Sequence, residues 1–147
     1  MQNIICPIST KRVNENVVRL TALQVVILLG VFLMQPNVII PLFLLGDFFM
    51  RAFTKAKFSP LSFISYHLIA LTNLEPVMID KAPKIFAARI GFLFSLAVSI
   101  LFLSGLAISA FITASVLVIF AFLECGVNFC AGCWVYTYIV LPVYNKK

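Results

Sequence analysis

The chain has 147 residues, 63% of them hydrophobic and 11% charged, with eleven Lys and Arg against five Asp and Glu. A soluble domain carries roughly 45–50% apolar and about 25% charged residues, so this composition excludes an ordinary water-soluble globule. It excludes a disordered chain too, since disorder needs low hydrophobicity, and fifteen Phe against six Gly exclude a collagen or linker. An integral membrane protein remains, built as a single domain over 1–147.

Met1–Asn16 is polar, and no small-residue cleavage site follows the first apolar run, so a secretory signal is not expected. No charged residue occurs from Leu20 to Gly46, nor from Ile90 to Leu123. As one helix the second gap would run roughly 51 Å at ~1.5 Å per residue, well beyond a ~30 Å hydrocarbon core. Each gap therefore reads as a hairpin of two helices. Gln35-Pro36-Asn37 breaks the first and Ser104-Gly105 the second, through the missing donor of Pro and the turn preference of Asn and Gly. The expected helices are 17–34, 38–53, 85–104 and 107–125. Pro41 in its first turn and Asp47 inside it make the second a candidate for a tilted or re-entrant helix.

Between the hairpins, 54–84 reads as an interfacial segment. Ser59-Pro60 offers an N-cap followed by Pro at the first helical position. Leu61, Ile64, Leu68 and Leu71 recur at helical spacing. Together they predict an amphipathic helix over 60–72, lying in the cytoplasmic interface. The tail 134–147 is too short to span, and its Trp134, Tyr136 and Tyr138 suit the headgroup level.

Every Lys and Arg falls on the side opposite the two hairpin tips. The positive-inside rule makes that side cytoplasmic, with both termini on it. The expected fold is thus all-α and integral to the membrane, four transmembrane helices in two hairpins with an interfacial helix between them. Its partner is first of all the lipid bilayer. The positive charge is accounted for by orientation and anionic lipid rather than by nucleic acid.

Helices in lipid need close backbone approach. Ala87, Gly91, Ser95 and Ser99 form a small-residue ridge on the third helix. Gly105, Ser109 and Thr113, or Ala110 and Ala114, would form its counterpart on the fourth. These rows predict the seam of the second hairpin.

Asp47, Arg89 and Glu124 stand near the cytoplasmic ends of expected helices, where an isolated ion is costly. Arg89 is the expected partner of Asp47 or Glu124, with Arg51, one turn from Asp47, as the competitor. Glu15 and Arg19 stand at i, i+4 in the favoured order. Such a cluster either binds an ion or proton, or fastens helix ends together. His67, the one histidine, reads as a solvated side chain.

Of the four cysteines, Cys6, Cys125, Cys130 and Cys133, the last two form a Cys-x-x-Cys. On a helix such a pair shares a face. It can exchange disulfides, pass sulfur between thiols, or share a metal. Nearby Lys and Arg favour the thiolate, which is both nucleophile and ligand. Cys6 lies on the same expected membrane face and could act as a third thiol or metal ligand. Cys125 reads as a small buried apolar residue. A permanent disulfide is not expected in a reducing compartment.

These pieces occur together in order: Cys6-Pro7, Asn14-Glu15 with Arg19, Asp47-Phe48 with Arg51, Phe58-Ser59-Pro60, Ala82-Pro83-Lys84 with Phe86-Ala87, Arg89-Ile90-Gly91, Leu123-Glu124, and Phe129-Cys130-Ala131-Gly132-Cys133 with Tyr136. The ordered set resembles the small bacterial membrane family known as domain of unknown function 4395, over nearly the whole chain. The resemblance implies a multi-pass protein of the bacterial inner (plasma) membrane and brings no established activity. It points to a cytosolic thioredoxin-like or rhodanese-like protein as companion.

The functional expectation is thiol-redox or sulfur handling at the cytoplasmic face. Cys130 and Cys133 would carry it, Cys6 would assist, and Arg51, Lys84 and Arg89 would stabilise thiolate or a sulfur oxyanion. Two alternatives stand beside it. One is metal binding or small-solute transport, with Cys6, Cys130 and Cys133 as soft ligands, Asp47 and Glu124 as pathway carboxylates, and a homo-oligomer to widen a thin bundle. The other is a non-catalytic scaffold that docks a partner. No P-loop, dinucleotide fingerprint, zinc-protease motif or nucleophile elbow is present.

Overall fold

The computed structural model describes residues 12–54, 58–126, 134–144 and 146. A short strand β1 (Arg12–Asn14) leads into α1 (Glu15–Met34) and α2 (Ile39–Phe53). Then come α3 (Pro60–Thr72), strand β2 (Met78–Asp80), α4 (Lys81–Leu103) and α5 (Ala107–Gly126). A π-helical turn (Tyr136–Val140) runs into the short α6 (Leu141–Tyr144). Every long helix lies within a few residues of its expected bounds.

The helix ends have local causes. Asn14 caps α1, its side chain accepting from the Asn16 amide at 3.0 Å. Pro36 forbids continuation after Met34. Asn37 then accepts from the Ile39 amide at 3.0 Å to open α2. Between α4 and α5 the chain closes a Schellman turn. Leu106 N donates to Leu101 O at 2.9 Å, Gly105 N donates to Phe102 O at 3.2 Å, and Gly105 has φ +83°. Glycine takes that left-handed conformation without a Cβ penalty. Ser59 caps α3 and Pro60 begins it, as expected.

Among the described residues three helices are long and apolar enough to cross a membrane: Glu15–Met34, Lys84–Leu103 and Ala107–Gly126. The fourth expected span is not among them. At 15 residues, α2 rises only about 22 Å, short of a ~30 Å hydrocarbon core.

Helix packing departs from the simple pairing of neighbours in sequence. α2 packs chiefly on α4, α1 on α5, and α4 on α5, while α1 and α2 touch much less. Their short connection joins them without making them the tightest pair. The small-residue ridge of α4 accordingly meets α2 at Gly91, where the Phe48 ring lies. A Cβ at Gly91 would fall 2.5–2.9 Å from three of that ring's carbons. Ser95 and Ser99 are buried on the same ridge. On α5 the buried row is Ala110 and Ala114, whereas Gly105 and Ser109 are exposed. At the end away from the charges, Phe32 of α1 is fully buried, with ring centroids 5.4 Å from Phe102 of α4 and 5.8 Å from Phe111 of α5.

The outside of the bundle is as apolar as the inside. Ile27, Leu93, Ile108, Ile112 and Phe122 are all more than half exposed. Such a surface is stable only against lipid. The structure thus bears out an all-α protein with membrane-type helices.

α3 turns most of the expected apolar stripe away from the bundle. Of Leu61, Ile64, Leu68 and Leu71, only Leu61 is buried. The face turned to the bundle is Leu61 and Ser65. The Ser65 hydroxyl donates to Leu61 O at 2.9 Å and accepts from Gln24 Nε2 at 3.0 Å, with Thr21 Oγ1 2.9 Å away. Polar contacts from α1 hold α3, and its apolar residues face outward.

Closest packing at Gly91 makes it the sharpest test of the α2–α4 contact. Gly91→Ala should destabilise the protein by about 1–3 kcal/mol through overpacking, read as a lower Tm in detergent. Phe48→Leu added to it should recover most of that loss by making room.

Candidate functional site at the charged end

The start of α1, the end of α2, the start of α4 and the end of α5 meet at one end, and the ionised side chains of these helices gather there. Asp47 lies inside α2 and is 2% exposed. A carboxylate so deep must be satisfied by several partners. Its Oδ1 accepts from the Ser59 hydroxyl and from the Leu61 amide, the latter at 3.2 Å. Its Oδ2 lies 2.6 Å from Arg51 Nη2, one turn along the same helix. Asp47 therefore both neutralises Arg51 and satisfies an orphan amide at the N-terminus of α3. The Arg51 guanidinium also lies 4.4 Å from the Phe48 ring centroid.

Arg89 is not the partner of either carboxylate. Its guanidinium lies over the Phe53 ring, 5.9 Å from the centroid, and the residue is exposed. Glu124 pairs instead with Lys84, at 2.9 Å. The reason is geometric. Arg51 reaches Asp47 along its own helix, and Lys84 stands on α4 opposite the last turns of α5. Arg19, expected at i+4 from Glu15, donates through Nε to Cys125 O at 3.2 Å. That bond satisfies a carbonyl in the last turn of α5 and places a cation at its negative end. Cys125 is a free thiol of intermediate burial.

A two-stranded antiparallel ribbon, which the sequence did not reveal, closes this end. Arg12, Val13 and Asn14 pair with Asp80, Ile79 and Met78. Glu15 N also donates to Val77 O at 2.8 Å. The ribbon ties the approach to α1 against the approach to α4. Beneath it lies a cavity of about 630 Å³. Its walls come from β1, α1, α2, α3, α4 and the end of α5, and they include Asn14, Arg51, Lys84 and Glu124 among the expected site residues. Arg12, Lys81, Tyr66 and His67 line it as well, and sequence reasoning had given them no role. His67 is exposed, with Nδ1 3.1 Å from Phe63 O.

Cys6, Cys130 and Cys133 lie outside the described residues. Among the described residues no three His, Cys, Asp or Glu side chains come together as a metal site. The chain on either side of the Cys-x-x-Cys is anchored at the charged end. Before it, Cys125 is held by Arg19. After it, the Tyr136 ring lies 5.7 Å from Phe86 of α4, and the Trp134 ring lies tilted 4.5 Å from Tyr138.

Asp47→Asn keeps an oxygen for Ser59 and the Leu61 amide but leaves Arg51 without a counter-charge. Asp47→Ala loses both. Removing one partner of a buried ion pair costs about 3–5 kcal/mol. The Tm in detergent should therefore fall in the order wild type, Asp47→Asn, Asp47→Ala. Equal Tm for wild type and Asp47→Asn would show that the Arg51 pair contributes nothing.

No curated protein and no solved structure matches the chain. A family model, described as Domain of unknown function (DUF4395), matches residues 13–140. The match takes in all five long helices and the whole charged end from Asn14 to Glu124, and the chain belongs to that family.

Proposed function

We propose that this protein spans the bacterial inner membrane four times, the short α2 crossing where the bilayer thins to its length. Both termini and 54–84 are cytoplasmic, and α3 lies in the interface with its apolar residues toward lipid. At the cytoplasmic end it carries out thiol-redox or sulfur-handling chemistry through Cys130 and Cys133, with Cys6 as an assisting thiol. Its partner is a cytosolic thioredoxin-like or rhodanese-like protein.

One observation carries this reading. The described residues on both sides of the motif are anchored where Arg19, Arg51, Lys84 and Arg89 gather. Cations near a thiol favour the thiolate. The exchange balances as follows. The Cys130 thiolate attacks one sulfur of the partner's disulfide, and the partner's other sulfur leaves as thiolate. The Cys133 thiolate then attacks the Cys130 sulfur and releases the partner's second thiolate. The motif ends as a disulfide and the partner as a dithiol.

Side-specific labelling tests both topology and chemistry. In a Cys125→Ala background, an impermeant maleimide should modify Cys130 and Cys133 only after cells are permeabilised and reduced. Cys133→Ser should accumulate a mixed disulfide with a cytosolic protein, and Cys130→Ser should abolish it. Labelling in intact cells would overturn the topology. Motif thiols that stay inert in reduced, permeabilised membranes would overturn the chemistry. Labelling that appears only after chelation would assign the thiols to a metal instead.

A further inference from the structure

The cavity beneath the ribbon has the size of a small-molecule site and two kinds of wall. One is apolar, formed by Val18, Phe48 and Ala88. The other is cationic. Among its described lining residues Arg12, Arg51, Lys81 and Lys84 face one carboxylate, Glu124. Glu124 is paired with Lys84, and Asp47 is paired with Arg51. Arg12 and Lys81 bring positive charge beyond those two pairs.

Arg51 is itself only partly satisfied. Its Nε is buried and has no hydrogen-bond partner, although the same guanidinium pairs with Asp47 through Nη2. A buried donor left without an acceptor is costly. The site thus offers a surplus of positive charge beside apolar side chains within one cavity.

We propose that this cavity binds a phosphate-headed amphiphile. The phosphate sits among Arg51, Arg12 and Lys81, where a phosphate monoester of charge about −1.5 to −2 near neutral pH matches the surplus. Guanidinium groups suit it because their N–H forks meet phosphate oxygens. The apolar chain lies along Phe48, Val18 and Ala88. The occupant is either a phospholipid of the surrounding bilayer or a free alkyl phosphate. The inference does not rest on the thiol reading, and a variant without cysteines should bind equally well.

The full chain in phosphatidylcholine nanodiscs is titrated with decyl phosphate, with empty discs as the blank, and followed by Tm and calorimetry. Saturable binding above the blank is expected. Inorganic phosphate and decyl maltoside should give much weaker effects. Arg51→Gln disturbs the Asp47 pair and can unfold the protein, so the deciding variant is Arg12→Gln with Lys81→Gln, both outside that pair. It should weaken binding by about tenfold or more, in line with losing charge-assisted contacts. Val18→Trp, which fills the apolar wall, should remove the advantage of decyl phosphate over inorganic phosphate. Competition by phosphatidic acid doped into the discs would identify the bilayer as the source. Its failure to compete would identify a free amphiphile, and either result supports the site. Binding no greater than that of empty discs, unchanged binding in the double variant, or an equal response to inorganic phosphate would overturn the proposal.

Discussion

A carboxylate cannot remain ionised in a protein interior without partners on both oxygens, and Asp47 has them from three directions. The Ser59 hydroxyl and the Leu61 amide reach one oxygen, and Arg51 the other. The contact joins the last turns of α2 to the first turn of α3 across a connection too short to pack by itself. It also fixes where Arg51 points, because the guanidinium must stay with its counter-charge. From there Arg51 lies against Phe48, and the Phe48 ring meets α4 at Gly91. The orientation of α3, the α2–α4 contact and the cationic wall of the cavity all descend from that buried ion.

Lipid as solvent explains the rest of the design. Apolar burial gains little between helices already surrounded by hydrocarbon. The interior accordingly mixes small residues and hydroxyls, such as Ala110, Ala114, Ser95 and Ser99, with Leu29, Phe32 and Leu44, while many other large aliphatic side chains turn outward. The same economy confines charge to one end of the helices. There Asp47 and Glu124 each find a cation nearby, and Arg19 donates to a backbone carbonyl.

The helices were legible because their signals are local. Charge-free runs, Pro36, Gly105 and the Ser59-Pro60 cap each act within a few residues of where they stand. The ribbon was not legible. Three-residue strands carry almost no periodicity, and Arg12 pairs with Asp80 across three intervening helices. Partner choice was legible only in part. The sequence showed that Asp47 and Glu124 need cations, but Arg89 was the nearest cation by depth alone. The actual choice follows from which helix faces which, and α2 against α4 with α1 against α5 is not written in the spacing of any one helix. For the same reason the ridge on α4 was recognised as a packing surface, while its neighbour at Gly91 proved to be α2.

The ribbon changes what the charged end can do. Without it, Arg12 and Lys81 would belong to two separate chain approaches, free to diverge into water. Pairing β1 with β2 brings both to the cavity that Arg51 and Lys84 line, so that cations from three different stretches of sequence border one space. Like charges held together repel, and no two of these residues are needed to satisfy each other. An arrangement that concentrates positive charge in a partly apolar space is unfavourable for the protein alone. It becomes favourable when an anion completes it. Among the described lining residues, Arg12 and Lys81 stand outside both ion pairs that fasten the helix ends.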